Sequence, residues 1–315
     1  KEKMRSEGIL KIDVLEGLRL IETASQDLII ADPPYYKVIN EKWDKQWKTE
    51  QEYLEWCKLW FDECVRVLKD TGSFYCYGNF DILSKQKVLI FDKKLNFRQN
   101  ITLDKGLKSI AGRTSDKLRM FPTASEYLLF YINQNYSFQN NDSVNEVFKP
   151  IRQYLKDELA KSGLKTKDCR KLMGLTIDAG GLRYFSDTSW MMIPEKHYSS
   201  LQINGCFNMP YIELKQWYES LLFTFNLPIA TTDVWDFTPD KVRYGHPTQK
   251  PQDICQRIVK ASSNENDNVL IPFAGSGSEI VACEELKRNW TAFEIEDSYI
   301  EIINKRLDEF KPKLF

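Results

Sequence analysis

The stretch VLIPFAGSGSEIVACEELKRNWTAFEIE, residues 269–296, decides the fold. Its aliphatic start is typical of a buried strand, and the small residues of FAGSGS permit a tight turn close to a ligand. A helical segment and a second strand follow, and the second strand ends in Glu294, 19 residues after Gly275. A helix N-terminus suits the charged end of a ligand, and an acid at that distance suits ribose hydroxyls. The stretch therefore predicts a βαβ unit that binds a nucleoside-containing cofactor.

Strands and helices alternate in the same way through both ends of the chain. The segment that begins at Thr49 has apolar residues at helical spacing, and Thr49 and Glu52 form a capping-box pattern at its start. The predicted strands around it are ILKID (9–13), DLIIAD (27–32), GSFYCYGN (72–79) and EYLLFYIN (126–133). From Asp233 onward the alternation returns. The pattern predicts an α/β fold with a mostly parallel, twisted sheet and helices on its faces.

Residues 136–230 break this rhythm and are predicted to form a smaller, helix-rich domain. IRQYLKDELAKSG has one apolar helical face and ends at Gly163, and a short helix capped by Thr166 follows. With the basic residues around their turn, these helices fit a helix-turn-helix or an ordinary helical hairpin with a solvated face. A third helix is predicted over 210–225. The predicted domain boundaries are 1–135, 136–230 and 231–315.

The composition argues against several classes of protein. The chain has 315 residues, a net charge of −1 and a pI of about 6.3, so any nucleic-acid surface must be local. No apolar run reaches the roughly 18 residues of a membrane span, and the start lacks the apolar core of a signal peptide. Seven cysteines without a CxxC pair and only two histidines argue against a disulfide frame and a zinc site. We expect a cytoplasmic protein, bacterial or phage-encoded, with no membrane association and no metal.

The stretch LIIADPPYY, residues 28–36, gives the second indication of function. Its prolines hold Asp32 in an extended conformation and offer carbonyl acceptors without N–H donors. Asp32 adds a charged acceptor at the carboxyl end of a strand, where open α/β sheets bind ligands, and two tyrosines offer flat faces. The group suits a planar molecule with an exocyclic amine, such as adenine or cytosine. A rigid turn with tyrosines packed for stability is the alternative interpretation.

Three motifs in a fixed order carry a resemblance to a known family. DPPY (32–35), HPTQKP (246–251) and FAGSGS (273–278) together resemble the circularly permuted beta class of S-adenosylmethionine-dependent DNA amino-methyltransferases. The resemblance covers roughly 9–135 and 233–310. It implies a Rossmann-like methyltransferase fold with an inserted target-recognition domain in the position of 136–230. It also implies methyl transfer from S-adenosylmethionine to adenine N6 in double-stranded DNA, after the target base has left the helix.

The resemblance also assigns roles to individual residues. The implied catalytic loop is Asp32, Pro33, Pro34 and Tyr35, in which Asp32 and the Pro33 carbonyl accept the two N–H bonds of the amine. The residues implied in cofactor binding are Asp13, Asp32, His246, Thr248, Lys250, Phe273, Ala274, Gly275, Ser276, Gly277, Ser278 and Glu294. Within that set, Asp13 is expected at the cofactor's adenine, Glu294 at its ribose, and Lys250 near its methionine carboxylate.

The chain departs from the family pattern at two positions. Ile271 stands where an aspartate is usual, which removes one polar contact near the cofactor. Ser278 stands where threonine is common, and its hydroxyl can serve the same purpose. HPTQKP, taken alone, would also fit the start of a helix with Pro251 at the first helical position.

Contacts to DNA are predicted at the catalytic loop, in the basic stretch 105–121 and in the helical hairpin. Basic residues in a glycine-containing stretch can follow phosphates, although a solvated charge run is the more usual meaning of such a stretch. The predicted DNA-binding residues are Tyr36, Lys105, Lys108, Arg113, Lys117, Arg119, Lys165, Lys167, Arg170 and Lys171. A second copy of the chain and a cognate restriction endonuclease are the other candidate partners.

Three alternative functions stay open on the sequence alone. Methylation of cytosine N4 is the first, although enzymes of that type more often carry serine in place of Asp32. A catalytically silent DNA-binding modification subunit is the second, and Ile271 is the feature that favours it. A nicotinamide dehydrogenase is the third, but its glycine turn would typically lie in the first βα unit and DPPY would have no role in it.

Overall fold

A computed structural model describes most of the chain. The described residues are 8–36, 46–110, 117–133, 147–175, 183–187, 189–202, 206–226, 231–237, 240, 244–245 and 249–309. The chain divides into two compact units, one formed by Lys1–Asn133 with Thr224–Phe315 and the other by Gln134–Phe223. The sequence placed the corresponding boundaries after residues 135 and 230.

The first unit is built on one mixed sheet. Its strands in the described residues are β1 (Gly8–Lys11), β2 (Gln26–Ala31), β3 (Leu68–Gly78), β4 (Asn96–Asp104), β5 (Ser125–Ile132), β6 (Val234–Asp236), β7 (Asn268–Ile271) and β8 (Asn289–Glu294). Their order across the sheet is β1-β8-β7-β2-β3-β5-β4-β6. Neighbouring strands are parallel except in the pairs β3–β5 and β4–β5. The predicted α/β fold with a mostly parallel sheet is confirmed.

Helices connect these strands and build the second unit. The helices of the described residues are α1 (Val14–Leu20), α2 (Glu50–Val67), α3 (Phe80–Leu89), α4 (Lys149–Ser162), α5 (Thr166–Leu172), α6 (Glu195–Gln202), α7 (Tyr211–Ser220), α8 (Gln252–Ser262), α9 (Ser278–Glu285) and α10 (Asp297–Asp308). Helices α4 to α7 belong to the second unit. None of the described helices is both long and apolar enough to cross a membrane.

Local sequence explains how α2 begins and what it buries. The Thr49 hydroxyl accepts the N–H of Glu52 at 3.2 Å, and the Glu52 carboxylate accepts the N–H of Lys48 at 2.8 Å. Both ends of the predicted capping pattern are therefore used, although the carboxylate reaches one residue further back than the capping box requires. The apolar face of α2, which includes the fully buried Cys57 and Cys64, packs into the aromatic core of the first unit.

Three predicted helix ends differ from the structure. Lys165 rather than Thr166 is the N-cap of α5, and its N–H donates to the Asp168 carboxylate at 3.0 Å. Pro251 is the N-cap of α8 rather than its first residue, because its backbone is extended with ψ of 136°. Helix α7 ends at Ser220, earlier than the predicted 225.

The second unit has a core of its own. Side chains from α4 to α7 form it, including Ile151, Leu155 and Tyr198. Helix α4 ends where predicted, since Gly163 adopts the left-handed conformation with φ of 65°. Glu158, a buried acid of α4, connects this helix to the segment before α7 by accepting the N–H of Phe207 at 2.6 Å.

The sheet topology brings the two main sequence motifs together. Strands β2 and β7 are parallel neighbours, with Leu28 opposite Val269 and Ile29 opposite Leu270. The loops that follow them, one beginning at Asp32 and the other at Pro272, therefore leave the sheet at the same edge. Open α/β sheets bind ligands at this edge.

Candidate active site

The loop after β2 is anchored to α2 through one of its prolines. The Tyr53 hydroxyl donates to the carbonyl of Pro34 at 2.9 Å, and the Tyr36 ring packs on the Tyr53 ring at 5.6 Å between centroids. Tyr36, predicted at the DNA surface, is thus half-buried against the core. Among the described residues none donates a hydrogen bond to the carbonyl of Pro33. The Pro33 carbonyl is therefore one acceptor of this loop without a donor among the described residues.

A compact charge network surrounds the acid at the start of this loop. The Tyr35 hydroxyl donates to Oδ1 of Asp32 at 2.8 Å, and Nζ of Lys250 lies 3.1 Å from the same oxygen and 3.0 Å from the Tyr35 hydroxyl. Oε2 of Glu126 lies 3.6 Å from Nζ of Lys250, and Glu126 also binds Lys105. Within the described residues no donor reaches Oδ2 of Asp32. One carboxylate oxygen is therefore held by two donors, and the other accepts no hydrogen bond from the described residues.

Burial and the neighbouring charges set the protonation of this network. Burial raises the pKa of Asp32, and the Lys250 ammonium and the Tyr35 hydroxyl oppose that rise. Burial alone would lower the pKa of Lys250, but the carboxylates of Asp32 and Glu126 outweigh it and raise that pKa well above its ordinary value. Burial, followed by the charge of Asp32, raises the pKa of Tyr35 well above its usual range. Lys250 and Tyr35 thus stay protonated and serve as donors.

The glycine turn after β7 adopts a conformation that its sequence makes possible. Gly275 and Gly277 have φ of 50° and 75°, and a Cβ at Gly277 would lie 2.8 Å from the side chain of Ile303. Glu294, at the end of β8, accepts the N–H of Gly275 at 2.8 Å through Oε2. Its Oε1 accepts the N–H groups of the two residues that follow it. The acid and the turn therefore form one rigid unit.

Both motifs line a single cavity of about 370 Å³ in the first unit. The predicted site residues on its wall are Asp13, Asp32, Pro33, Pro34, Tyr35, Lys250, Phe273, Ala274, Gly275, Ser276 and Glu294. Its volume lies in the range of small-molecule sites, which run from about 300 to 1,000 Å³. Asp13 is also the N-cap of α1, where its carboxylate accepts the N–H of Leu15.

Two predicted cofactor residues lie behind the cavity wall instead of on it. Gly277 and Ser278 are absent from the lining, and Ser278 is fully buried. The Ser278 hydroxyl donates to the backbone carbonyl of Lys250 at 2.8 Å, and the guanidinium of Arg306 donates to the carbonyl of Ser276 at 2.7 Å. The first bond ties the turn to the segment that carries Lys250 and the second ties it to α10, so Ser278 supports the cavity wall from behind.

The remaining predicted residues lie elsewhere or outside the described part of the chain. His246, Thr248 and Arg113 are outside the described residues, as is the side chain of Lys108. Lys105 binds Glu126, and its predicted contact with phosphates competes with that ion pair. The exposed basic residues are Lys117 and Arg119 in the first unit and Lys165, Lys167 and Lys171 in the second, where Arg170 is half-buried.

Sequence reasoning missed several residues of the site. Glu126, at the start of β5, and Glu279, in the first turn of α9, are acids that face the site or its network. Trp56 of α2 lines the cavity and packs on Phe273 with ring centroids 5.8 Å apart. An acid at the edge of the otherwise apolar strand EYLLFYIN was the available signal for Glu126. The sequence offers no signal for Glu279, because an acid at a helix N-terminus is common.

A model of the family described as DNA methylase, of the N6/N4 type, matches residues 26–305. The chain belongs to this DNA methylase family. Its relatives include the type II methyltransferase M.HinfI of Haemophilus influenzae, 26% identical over 96% of this chain and 69% of the relative. They also include the DNA adenine methyltransferase YhdJ of Escherichia coli K12, 27% identical over 95% of this chain and 82% of the relative. The resemblance drawn from the three motifs is confirmed.

Solved structures of DNA methylases share the fold. The M1.HpyAVI–SAM complex covers 95% of this chain and 98% of its own, with a TM-score of 0.54 and 16% identity. The PvuII DNA methyltransferase, which is cytosine-N4-specific, covers 96% of this chain and 86% of its own, with a TM-score of 0.55 and 13% identity. At these identities the likeness concerns the fold, and the predicted methyltransferase fold class is confirmed.

Proposed function

We propose that this DNA methylase transfers a methyl group from S-adenosylmethionine to N6 of adenine in double-stranded DNA. The observation that carries the proposal is the state of Asp32 on the cavity wall. Oδ1 is held by Tyr35 and Lys250, while Oδ2 and the carbonyl of Pro33 have no donor among the described residues. Two acceptors without donors suit an exocyclic amine, which has two N–H bonds.

The choice of adenine rests on the catalytic loop and on one relative. DPPY carries an acid where enzymes of cytosine N4 more often carry serine, and YhdJ is a DNA adenine methyltransferase by name. A type II methyltransferase relative such as M.HinfI supports a role beside a restriction endonuclease. A second copy of the chain is the other partner we propose to test.

The residues around the cavity fit S-adenosylmethionine, the ligand of the M1.HpyAVI complex. Oε1 of Glu294 already accepts two backbone N–H groups, whereas Oε2 accepts one and keeps a lone pair for a ribose hydroxyl. The rings of Trp56 and Phe273 supply flat apolar wall, and Asp13 supplies an acceptor for the adenine amine. When bound, the cofactor supplies an electrophilic methyl group on a sulfonium.

The residues of the loop then activate the target nitrogen. Its lone pair is delocalised into the base, so the amine is a poor nucleophile. When Asp32 Oδ2 and the carbonyl of Pro33 accept the two N–H bonds, the nitrogen becomes more tetrahedral and its lone pair is freed. The same carboxylate stabilises the positive charge that develops on nitrogen, and Oδ2 can take the proton that the nitrogen must lose. Lys250 and Tyr35 keep Oδ1 in place during this step.

The base must leave the duplex to reach this loop, and the Tyr35 ring is the surface on which we propose that it stacks. Exposed Lys117 and Arg119 would then follow phosphates near the site. Residues 136–230 would serve as the target-recognition domain, in which exposed Lys165, Lys167 and Lys171 of the helical hairpin face DNA. Support for this assignment comes from the exposure and charge of these side chains.

The test is methylation of DNA by purified protein, followed by digestion to nucleosides and mass spectrometry. We expect N6-methyladenine with wild type, and none with Asp32→Ala, which should still bind cofactor. Asp70→Ala, at an exposed position of β3, is the matched control and should methylate normally. N4-methylcytosine would overturn the choice of base. Cofactor binding without any methylated base would identify a silent subunit, and full activity of Asp32→Ala would refute the role of the acid.

A further inference from the structure

A further acidic residue lines the cavity from the first turn of α9. Glu279 lines the cavity, and the residue is only 4% exposed. It follows the glycine turn directly, eight residues after Ile271, which is fully buried at the end of β7. The chain thus lacks an acid at the position where the family usually has one, and it has another acid at the same junction.

Within the part of the chain that the structure describes, Glu279 has no cationic partner. The Cys255 thiol donates weakly to Oε1 at 3.5 Å, and no Lys or Arg of the described residues lies within ion-pair distance. Lys250, the buried cation of this site, is bound to Asp32 and Glu126. A carboxylate taken out of water without a cation is costly, and a buried acid normally has a charged or strongly hydrogen-bonding partner.

The position of Glu279 identifies the part of the ligand that it faces. The preceding residue, Ser278, donates to the backbone carbonyl of Lys250 at 2.8 Å, and the Lys250 ammonium lies 3.1 Å from Asp32, so Glu279 lies at the transfer end of the cavity. Glu294 occupies the ribose end through its bonds to the turn. S-adenosylmethionine carries an ammonium group on its methionine portion, beside the sulfonium. An ammonium at this end would supply the cation that the buried acid lacks.

We propose that Glu279 binds the ammonium of the cofactor's methionine portion and takes over the contact that an aspartate at position 271 would make. This assignment rests on the proposed function, because it takes S-adenosylmethionine as the ligand. Asp32 cannot serve both purposes, since its Oδ1 is occupied and its Oδ2 is left for the target amine. Glu279 is a binding residue in this scheme and takes no part in the transfer.

The test compares three ligands by isothermal titration with wild type and Glu279→Gln. S-adenosylmethionine and S-adenosylhomocysteine carry the ammonium, whereas 5′-methylthioadenosine keeps the nucleoside and lacks the amino-acid portion. Loss of a charge-assisted hydrogen bond should weaken the first two by about 10- to 100-fold and leave the third unchanged. Glu285→Gln, at the exposed end of the same helix, is the matched control and should bind all three as wild type does.

The outcomes separate this assignment from the proposed function. Unchanged affinity of Glu279→Gln for S-adenosylmethionine would overturn the role of Glu279 and leave the proposed function standing. Equal weakening for all three ligands would also overturn it, because it would mean that Glu279 supports the cavity wall and not the ammonium. Failure of folded wild-type protein to bind S-adenosylmethionine at all would overturn the proposed function and this assignment together.

Discussion

Replacing Lys250 by glutamine should move the acidic limb of the pH–rate profile to higher pH. In the proposed mechanism Asp32 acts on the target amine in its ionised form, so the rate should fall as the pH drops through the pKa of Asp32. Burial raises that pKa, and the Lys250 ammonium, 3.1 Å from Oδ1, opposes the rise. Without the ammonium, the pKa of Asp32 rises further and activity is lost at a higher pH.

The distances set the size of the expected shift. A unit charge pair 3.1 Å apart interacts by about 5 kcal/mol at an effective dielectric constant of about 20, which is an upper bound. The same ammonium also lies 3.6 Å from Glu126, and Asp32 keeps the hydrogen bond from Tyr35. We therefore expect a shift of about 1 to 3 pH units, or about 1.4 to 4 kcal/mol.

Replacing Glu126, the third charged residue of the network, should move the acidic limb in the opposite direction. The carboxylate of Glu126 raises the pKa of Asp32, so Glu126→Gln should lower that pKa and extend activity to lower pH. The assay is the single-turnover methylation rate at saturating cofactor and DNA, measured across pH for both variants. Lys260→Gln, at an exposed position of α8, is the control and should follow the wild-type profile. Acidic limbs that coincide with wild type, or that move in the same direction in both variants, would refute this electrostatic account.

Three further predictions concern other parts of the site. Tyr35→Phe should lose part of the transfer rate because the hydrogen bond to Asp32 is lost. Tyr35→Ala should lose about 1–3 kcal/mol more of transition-state stabilisation because base stacking is lost as well. Equal rates for the two variants would argue against stacking. Replacing Lys117 and Arg119 by glutamine should reduce the slope of log affinity for DNA against log salt by about 2, and an unchanged slope would exclude both as phosphate contacts. Burial raises the pKa of Glu279 from 4.5 to about 7, so the folded state binds the proton of this acid more tightly than the unfolded state does. The free energy of unfolding without ligand should therefore fall by about 3 kcal/mol as the pH rises from 4.5 to about 7. Glu279→Gln should remove that fall in denaturant titrations at both ends of the window, and a slope equal to wild type would show that the acid is not buried as described.

The sequence predicted those parts of the site whose conformation is determined by neighbouring residues in the chain. The prolines after Asp32 fix their own φ, the glycines of FAGSGS permit the positive φ that the turn needs, and Glu294 ends a strand 19 residues after Gly275. The role of each of these features can be inferred from a short stretch of sequence. The order of the motifs was then enough to predict the family, and the alternation of strands and helices predicted the mostly parallel sheet.

The parts that were missed depend on contacts between distant segments. Lys250 was expected at the cofactor's carboxylate, yet its ammonium joins Asp32 to Glu126, residues more than one hundred positions away in the chain. The sequence of EYLLFYIN alone does not show that its acid, Glu126, lies beside Lys250, a residue just before α8. Tyr36 was assigned to DNA because a flat ring beside a catalytic loop suggests stacking; its ring is half-buried against Tyr53, and the assignment stays a prediction.

Ile271 illustrates how a single substitution can mislead when it is considered alone. The lost aspartate favoured a silent subunit, because one polar contact to the cofactor was missing. The structure has a buried acid at Glu279, on the same βα junction and on the wall of the same cavity. Burial raises the pKa of this acid to about 7, so its ionised form, which a bound cation would stabilise, is costly in the protein without ligand. On the proposed assignment Glu279 supplies the contact that Ile271 cannot make, so the departure at Ile271 does not by itself favour a silent subunit.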